Sequence, residues 1–235
     1  MKKTTPLFVL CLVLFSALPA QADDTQTLID KIITTYGGEA LWRTTVGIQQ
    51  AGSTYSQRRH NSGTASRSYQ HPGKMKVYTQ YENDTELRQL DGDQAWNHGA
   101  AGADDYVQES KLQAYRLALP LLLLDHRHKI KSLGQRDDNS GHAYEGLELV
   151  LEDGLKILME VHLKSSRITA SWGMMALADK PLEFASLYED FRMVEGRLIS
   201  FKETHFAMSD NIGYTLLENV TFVSDFPANT FHPAE

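Results

Sequence analysis

The sequence predicts a mainly β fold of the α+β kind. One curled antiparallel sheet forms an open half-barrel, with an N-terminal helix and an internal leucine-rich helix packed on its concave face. Three observations predict it. From Thr45 onward, short runs of β-branched and aromatic residues alternate with turn-forming clusters. Leu112–Leu124, L-Q-A-Y-R-L-A-L-P-L-L-L-L, interrupts that texture with strong helix formers and too many leucines for a one-faced surface helix. Leu182–Met208 reads as a long hairpin, two apolar-rich runs flanking Val194-Glu195-Gly196-Arg197. Strand twist accumulates across so long a sheet, so it curls and the helices fill its inside.

The first 22 residues read as a cleaved signal peptide. Lys2 and Lys3 precede an apolar run, Leu7–Leu18, and Ala20-Gln21-Ala22 is a small-x-small cleavage site. The apolar run falls short of the roughly 18 residues that span a bilayer. Cys11, the only cysteine, lies in this segment behind the bulky Phe8, Val9 and Leu10, so no lipid anchor is expected. The expectation is a periplasmic, single-domain protein over 23–235, without disulfides and held by its core. Loss of Lys2 and Lys3 leaves 21 basic against 30 acidic residues. That acidic balance, with no basic stripe, excludes a nucleic-acid partner.

The elements follow in order. Leu28, Ile29, Ile32, Ile33 and Tyr36 mark one face of a helix over Asp23–Tyr36, closed by Gly37-Gly38. Glu39–Arg43 is a further short turn carrying Trp42. Strands are predicted at Val46–Ser56, Ala65–Tyr69, Lys74–Tyr81, Glu86–Leu90 and Gln94–Asn97. Turn clusters such as Asn61-Ser62-Gly63 and Asp91-Gly92-Asp93 separate them. Gly99–Asp105 reads as a loop. Pro120 kinks the leucine-rich helix or begins a new turn. Strands resume at Lys129–Leu133, Tyr144–Glu152, Lys156–Lys164 and Arg167–Met174, with Asp153-Gly154 a strong hairpin signal. The long hairpin follows, then a last strand over Gly213–Phe222 and an extended tail.

No catalytic motif appears. Asp125-His126-Arg127-His128 gathers two imidazoles and a carboxylate, but a zinc site needs a further ligand, and a solvated connector is the simpler reading. Asp104-Asp105, Asp137-Asp138 and Glu189-Asp190 read as solvated pairs rather than general acids and bases. No G-x-S-x-G elbow is present, although a triad can assemble from distant positions. The apolar set says more. Trp96, Trp172, Met174, Phe184, Tyr188 and Phe201 fall on predicted strands, and Leu117, Leu121 and Leu124 on the leucine-rich helix. They form either an ordinary packed core or the lining of a cavity for a ligand without fixed shape, such as an acyl chain. Glu203 and His205 continue the apolar face of the long hairpin. The expectation is that a bulge near Ser200 turns them outward, or that the rim of the concavity is polar.

Four stretches carry a resemblance. Ile32–Trp42 holds a helix ending in Tyr-Gly-Gly before Ala-Leu and an aromatic. His71-Pro72-Gly73-Lys74-Met75-Lys76-Val77 has a Pro-x-Lys-hydrophobic-basic strand. Leu90-Asp91-Gly92 with Trp96 forms an Asp-Gly…Trp pair. Tyr188–Gly196 has a tyrosine-x-aspartate-aromatic-basic strand before a glycine turn. In this order they resemble the LolA-like and LolB-like outer-membrane lipoprotein-sorting group, of which the chain looks like a divergent member. The resemblance implies a half-barrel with a helical lid over an apolar cavity that takes acyl chains or a lipidated N-terminus. It implies no cofactor and no metal. The family's lid-closing arginine has no fixed counterpart here; Arg58 and Arg59 lie in the first sheet region without a motif to set their register.

The function expected is therefore a non-enzymatic, periplasmic, monomeric carrier that buries lipid acyl chains or a lipidated protein between the sheet and the Leu112–Leu124 helix. Two alternatives stay open: an envelope scaffold with a filled core, and an envelope hydrolase.

Overall fold

The computed structural model describes residues 20–177 and 180–233 of the 235-residue chain. Residues 1–19 of the expected signal peptide, Cys11 among them, lie outside the described residues. Alternating sequence produces thirteen strands. In chain order they are β1 (Gly47–Ser56), β2 (Asn61–Gln70), β3 (Lys74–Tyr81), β4 (Thr85–Asp91), β5 (Gln94–Asn97) and β6 (Ala100–Ala101). After the helical insertion come β7 (Lys131–Asp137), β8 (Ala143–Val150), β9 (Lys156–His162), β10 (Arg167–Leu177), β11 (Lys180–Val194), β12 (Arg197–Ala207) and β13 (Asp210–Val223). They make one curled, unclosed antiparallel sheet in the order β6-β5-β4-β3-β2-β1-β13-β12-β11-β10-β9-β8-β7. Every neighbour but one is joined by a local hairpin. The exception, β1 beside β13, brings the first and last strands together at the centre. Two α-helices precede β1, and two are inserted between β6 and β7, the two edges.

The β11–β12 hairpin turns as its sequence predicts. Glu195 and Gly196 both have positive φ, 48° and 79°. That pair of left-handed residues matches the twist of the strands it joins. Within β11, Asp190 is a left-handed residue at φ 51°, but Glu189 still pairs with Lys202 and Phe191 with Ser200, so the β11–β12 register runs unbroken across it.

The helices are α1 (Ala20–Thr35), α2 (Glu39–Arg43), α3 (Asp104–Leu117) and α4 (Leu119–His126). In α1, Ile29, Ile32 and Ile33 are buried. Its end is pinned to the sheet by Tyr36, whose hydroxyl accepts the Ile168 N–H at 3.1 Å. The predicted leucine-rich helix is two helices. Ala118, at φ −138° and ψ 52°, breaks the helical path. Pro120 sits in the first turn of α4, where its missing N–H costs nothing. The helical run also begins earlier than expected, at Asp104, so part of the predicted Gly99–Asp105 loop is helix.

Leu119 to Leu124 are all buried, so α4 is core. α3 is amphipathic and lies against strands from both arms of the half-barrel, β3, β4 and β5 on one side and β10 on the other. Close approach to β10 depends on Gly173, where a Cβ would lie 3.2 Å from that of Leu112. No helix among the described residues is long and apolar enough to cross a membrane.

Candidate functional site

The concavity is not filled to its end. Beneath α3, bounded by β1 to β4 and by β11 to β13, lies a cavity of about 340 Å³. Its floor includes Ala65, Val77, Phe184, Phe206 and Ile212. Among them project five arginines, Arg58, Arg59, Arg67, Arg88 and Arg116, against two glutamates, Glu86 and Glu109. Glu109, Gln113 and Arg116 come from α3 at i, i+4 and i+7, one face of that helix. A second cavity of about 50 Å³ adjoins Arg116 and is walled by Leu117, Pro120, Tyr188, Phe191 and Leu198.

Most of the arginine charge is already matched. Arg59 meets Asp84 at 2.8 Å and Glu86 at 2.6 Å. Arg88 meets Glu109 at 3.3 Å. Arg67 reaches from β2 over β1 to Glu203 of β12 at 2.6 Å, and its second terminal nitrogen donates to Thr215 of β13 at 2.8 Å. Arg116 differs. It donates to the main-chain oxygens of Leu112 at 3.3 Å and Phe184 at 3.1 Å, and forms no salt bridge among the described residues. Burial pushes its guanidinium below the ordinary value.

Glu203 and His205 therefore do not turn outward. β11 and β12 keep one register along their length, and the irregularity against β13 comes only after His205, between His205 and Phe206, so β12 keeps both residues on the concave face. What the long hairpin carries there is a buried acid–base pair, made tolerable by Arg67 from three strands away. Burial alone would raise the Glu203 carboxyl. Arg67, His205 and Arg116 outweigh that and hold it below the usual carboxylate range. Burial pulls His205 down to about 4, with Arg67 and Arg116 adding to it against Glu203.

The Ser186–His205 contact, 3.2 Å between Oγ and Nδ1, invites comparison with a nucleophile and its base. The hydrogen bonds run the wrong way for that. The Arg67 nitrogen that donates to Thr215 Oγ1 also faces His205 Nε2 at 3.5 Å. Two donors cannot oppose each other, so Nε2 is the acceptor and takes the Thr215 hydrogen at 3.0 Å. Nδ1 then carries the ring proton and donates to Ser186, which gains no base. Glu203, which would have to orient the ring, is held by Arg67 and stands 3.9 Å from Nε2. Among the described residues no group of three or more His, Cys, Asp or Glu is placed to hold a metal ion.

The predicted lining residues are dispersed. Phe184 lines the large cavity, and Leu117 and Tyr188 the small one. Leu121, Leu124 and Phe201 are packed in the core. Trp96 lies far along the sheet on β5, its ring 5.2 Å from that of His232 in the tail. Trp172 and Met174 flank Gly173, which faces α3, so alternation places both on the convex side.

No family model and no curated protein sequence matches the chain. Solved structures do. A LolA superfamily protein from Nitrosomonas europaea aligns with TM-score 0.53 at 12% identity, over 91% of this chain and 98% of its own. A DUF1329 family protein from Desulfovibrio piger aligns with TM-score 0.53 at 10% identity, over 90% and 97%. A domain of the outer-membrane lipoprotein-sorting type from Vibrio parahaemolyticus aligns with TM-score 0.51 at 8% identity, over 89% and 97%. The fold is LolA-like.

On this LolA-like frame the sequence reading missed the charged half of the site. Glu109, Gln113 and Arg116 carried a signal, three polar residues on one helical face, but they straddle the predicted start of the helix at Leu112. Arg67 sits between Ala65 and Tyr69 in an alternating run, which places it inward, yet nothing local shows that Glu203 faces it from 136 residues away.

Proposed function

We propose that this protein is a non-enzymatic, carrier-like binder of an amphiphile at the cell envelope, a lipid or a lipidated protein. The observation that supports it most is the 340 Å³ cavity with mixed lining beneath α3, on the concave side of an unclosed sheet. That volume lies at the small end of the roughly 300–1,000 Å³ of ligand sites. It suits a head and the start of a chain; a longer chain needs α3 to lift.

The energetics favour α3 as the moving part. Withdrawing α4 would expose five buried leucines, at about 2 kcal/mol each roughly 10 kcal/mol, as much as a typical domain's whole stability. α3 buries only Leu112 among its large apolar residues, with Val107, Tyr115 and Leu117 partly covered. A bound chain returns on the order of 0.8 kcal/mol per buried methylene, enough to offset that loss. Ala118, already outside helical geometry, is the natural hinge.

A disulfide tests the movement. Leu112→Cys with Gly173→Cys, in a Cys11→Ser background, places two Cβ atoms near bonding distance across the α3–β10 contact. The reduced protein should take up a fluorescent fatty acid and the oxidised protein should not. Equal uptake by both forms would refute the lid. If the unmodified protein binds no fatty acid and native mass spectrometry finds no co-purifying lipid, the carrier reading itself falls.

A further inference from the structure

The residues around Arg116 define the chemistry of the head that the cavity accepts. Of the five cavity arginines, three are engaged by carboxylates of the protein itself. Arg116 has two main-chain oxygens, which bear partial charge only, and Arg58 at the exposed rim makes no salt bridge or hydrogen bond among the described residues. Glu203 and Glu109 act on Arg116 only from a distance. A buried guanidinium with no carboxylate in direct contact is costly, and an anion with oxygens in one plane or a tetrahedron relieves it by paired hydrogen bonds. One helical turn before Arg116, the buried Gln113 Oε1 has no hydrogen-bond partner. Both side chains line the same cavity. A buried amide oxygen left unmatched beside a cation with no carboxylate in contact marks a place built for a polar ligand group rather than for chain packing. An anion there takes its hydrogen bonds from Arg116 and from the Gln113 Nε2 donor. Arg116 also borders the small cavity walled by Leu117 and Tyr188, so polar and apolar halves of a ligand meet at this residue. The excess of positive charge is local: the whole chain carries a net charge of −7.

We infer that the amphiphile's head is anionic, a phosphate or carboxylate, seated on Arg116 with Gln113 and reached past Arg58. The inference rests on the carrier reading above and adds the class of ligand. Because Arg67, Arg59 and Arg88 are neutralised within the protein, they shape the site and do not provide its net charge.

Titration calorimetry below the micelle concentration tests it with three probes: dodecyl phosphate, 1-monolauroylglycerol with the same chain length and a neutral head, and inorganic phosphate. Dodecyl phosphate should bind at least tenfold tighter than monolauroylglycerol, and the advantage should shrink with salt. Arg116→Gln should remove that advantage, bringing dodecyl phosphate to within a few-fold of monolauroylglycerol on the same variant, and Arg58→Gln, at an exposed position that does not support the fold, should reduce it a few-fold. Should Arg116→Gln fail to fold, the comparison on the unmodified protein and the Arg58 variant still decide. Equal affinity for the two amphiphiles overturns the anionic head and leaves the carrier standing. Inorganic phosphate binding as tightly as dodecyl phosphate overturns the amphiphile in favour of a free-anion site. No binding of either amphiphile overturns both readings.

Discussion

Arg67 and Glu203 meet at 2.6 Å on the inner side of the sheet, with side chains only 8% and 12% exposed. A pair that deeply placed contributes little net stability, because desolvation offsets attraction, but stranding one partner is expensive. Glu203→Ala should cost about 3–5 kcal/mol in urea unfolding, whereas Arg67→Met combined with Glu203→Leu should come within about 2 kcal/mol of the parent or exceed it. His205 gives the pH dependence. Its folded value is about 4 against 6.5 in the unfolded chain. Between those values the unfolded chain binds more protons, so stability rises with pH across the window and is lost as pH falls through it. The full displacement corresponds to roughly 3 kcal/mol, and a quarter of the side chain is exposed, which lets solvent reduce it to about 1–3 kcal/mol. His205→Gln should flatten that limb of a stability–pH curve measured from pH 4 to 7. An unchanged limb would place the titration elsewhere.

Among the elements, α3 and α4 are neighbours in sequence and opposites in energetics. Leu123 of α4 is fully buried. Leu123→Ala should cost about 2–5 kcal/mol, and Val107→Ala on α3, which is only partly buried, no more than about 1 kcal/mol. Hydrogen exchange should rank the same way, with α3 amides opening before those of α4 and β9. Comparable protection of α3 and α4 would argue that the two helices open as one. The β11–β12 hairpin shows the other use of an element. Its turn is set by two left-handed residues, and the unbroken register of β11 against β12 leaves Glu203 facing Arg67.

For the whole molecule, an unclosed sheet means two free edges. β6 is two residues long and offers little. β7 is longer and exposed throughout most of its length, with Leu133 56% exposed. Lys131, Arg136 and the register shift between Ser132 and Gly134 are the features that discourage pairing with another chain. Lys131→Val with Gln135→Val should shift the sedimentation-velocity distribution to larger species than the parent protein shows; an unchanged distribution at the same concentration would show that the register shift alone protects the edge.

What the sequence determined by itself is periodic and local. Alternation at period two marked the strands, with Lys74–Tyr81 and Gln94–Asn97 matching to the residue. Glu195-Gly196 marked the turn, and the leucine density of Leu112–Leu124 marked a buried helix, of which the structure buries Leu119–Leu124 throughout and leaves the part before Ala118 amphipathic. These follow from backbone geometry and from the area each side chain removes from water, which act over a few residues. The four motif stretches added the LolA-like fold by resemblance to a known group, and the solved structures share that fold. Only the tertiary structure decided where charge sits. Arg67 is separated from Glu203 by 136 residues, and a charge that is solvated in the sequence becomes buried when β2, β1, β13 and β12 line up side by side. The convex placement of Trp172 and Met174 has the same origin, since it depends on Gly173 meeting Leu112 of α3. Long-range register assigns each face its neighbours, and an electrostatic site depends on neighbours more than on any single side chain's preference.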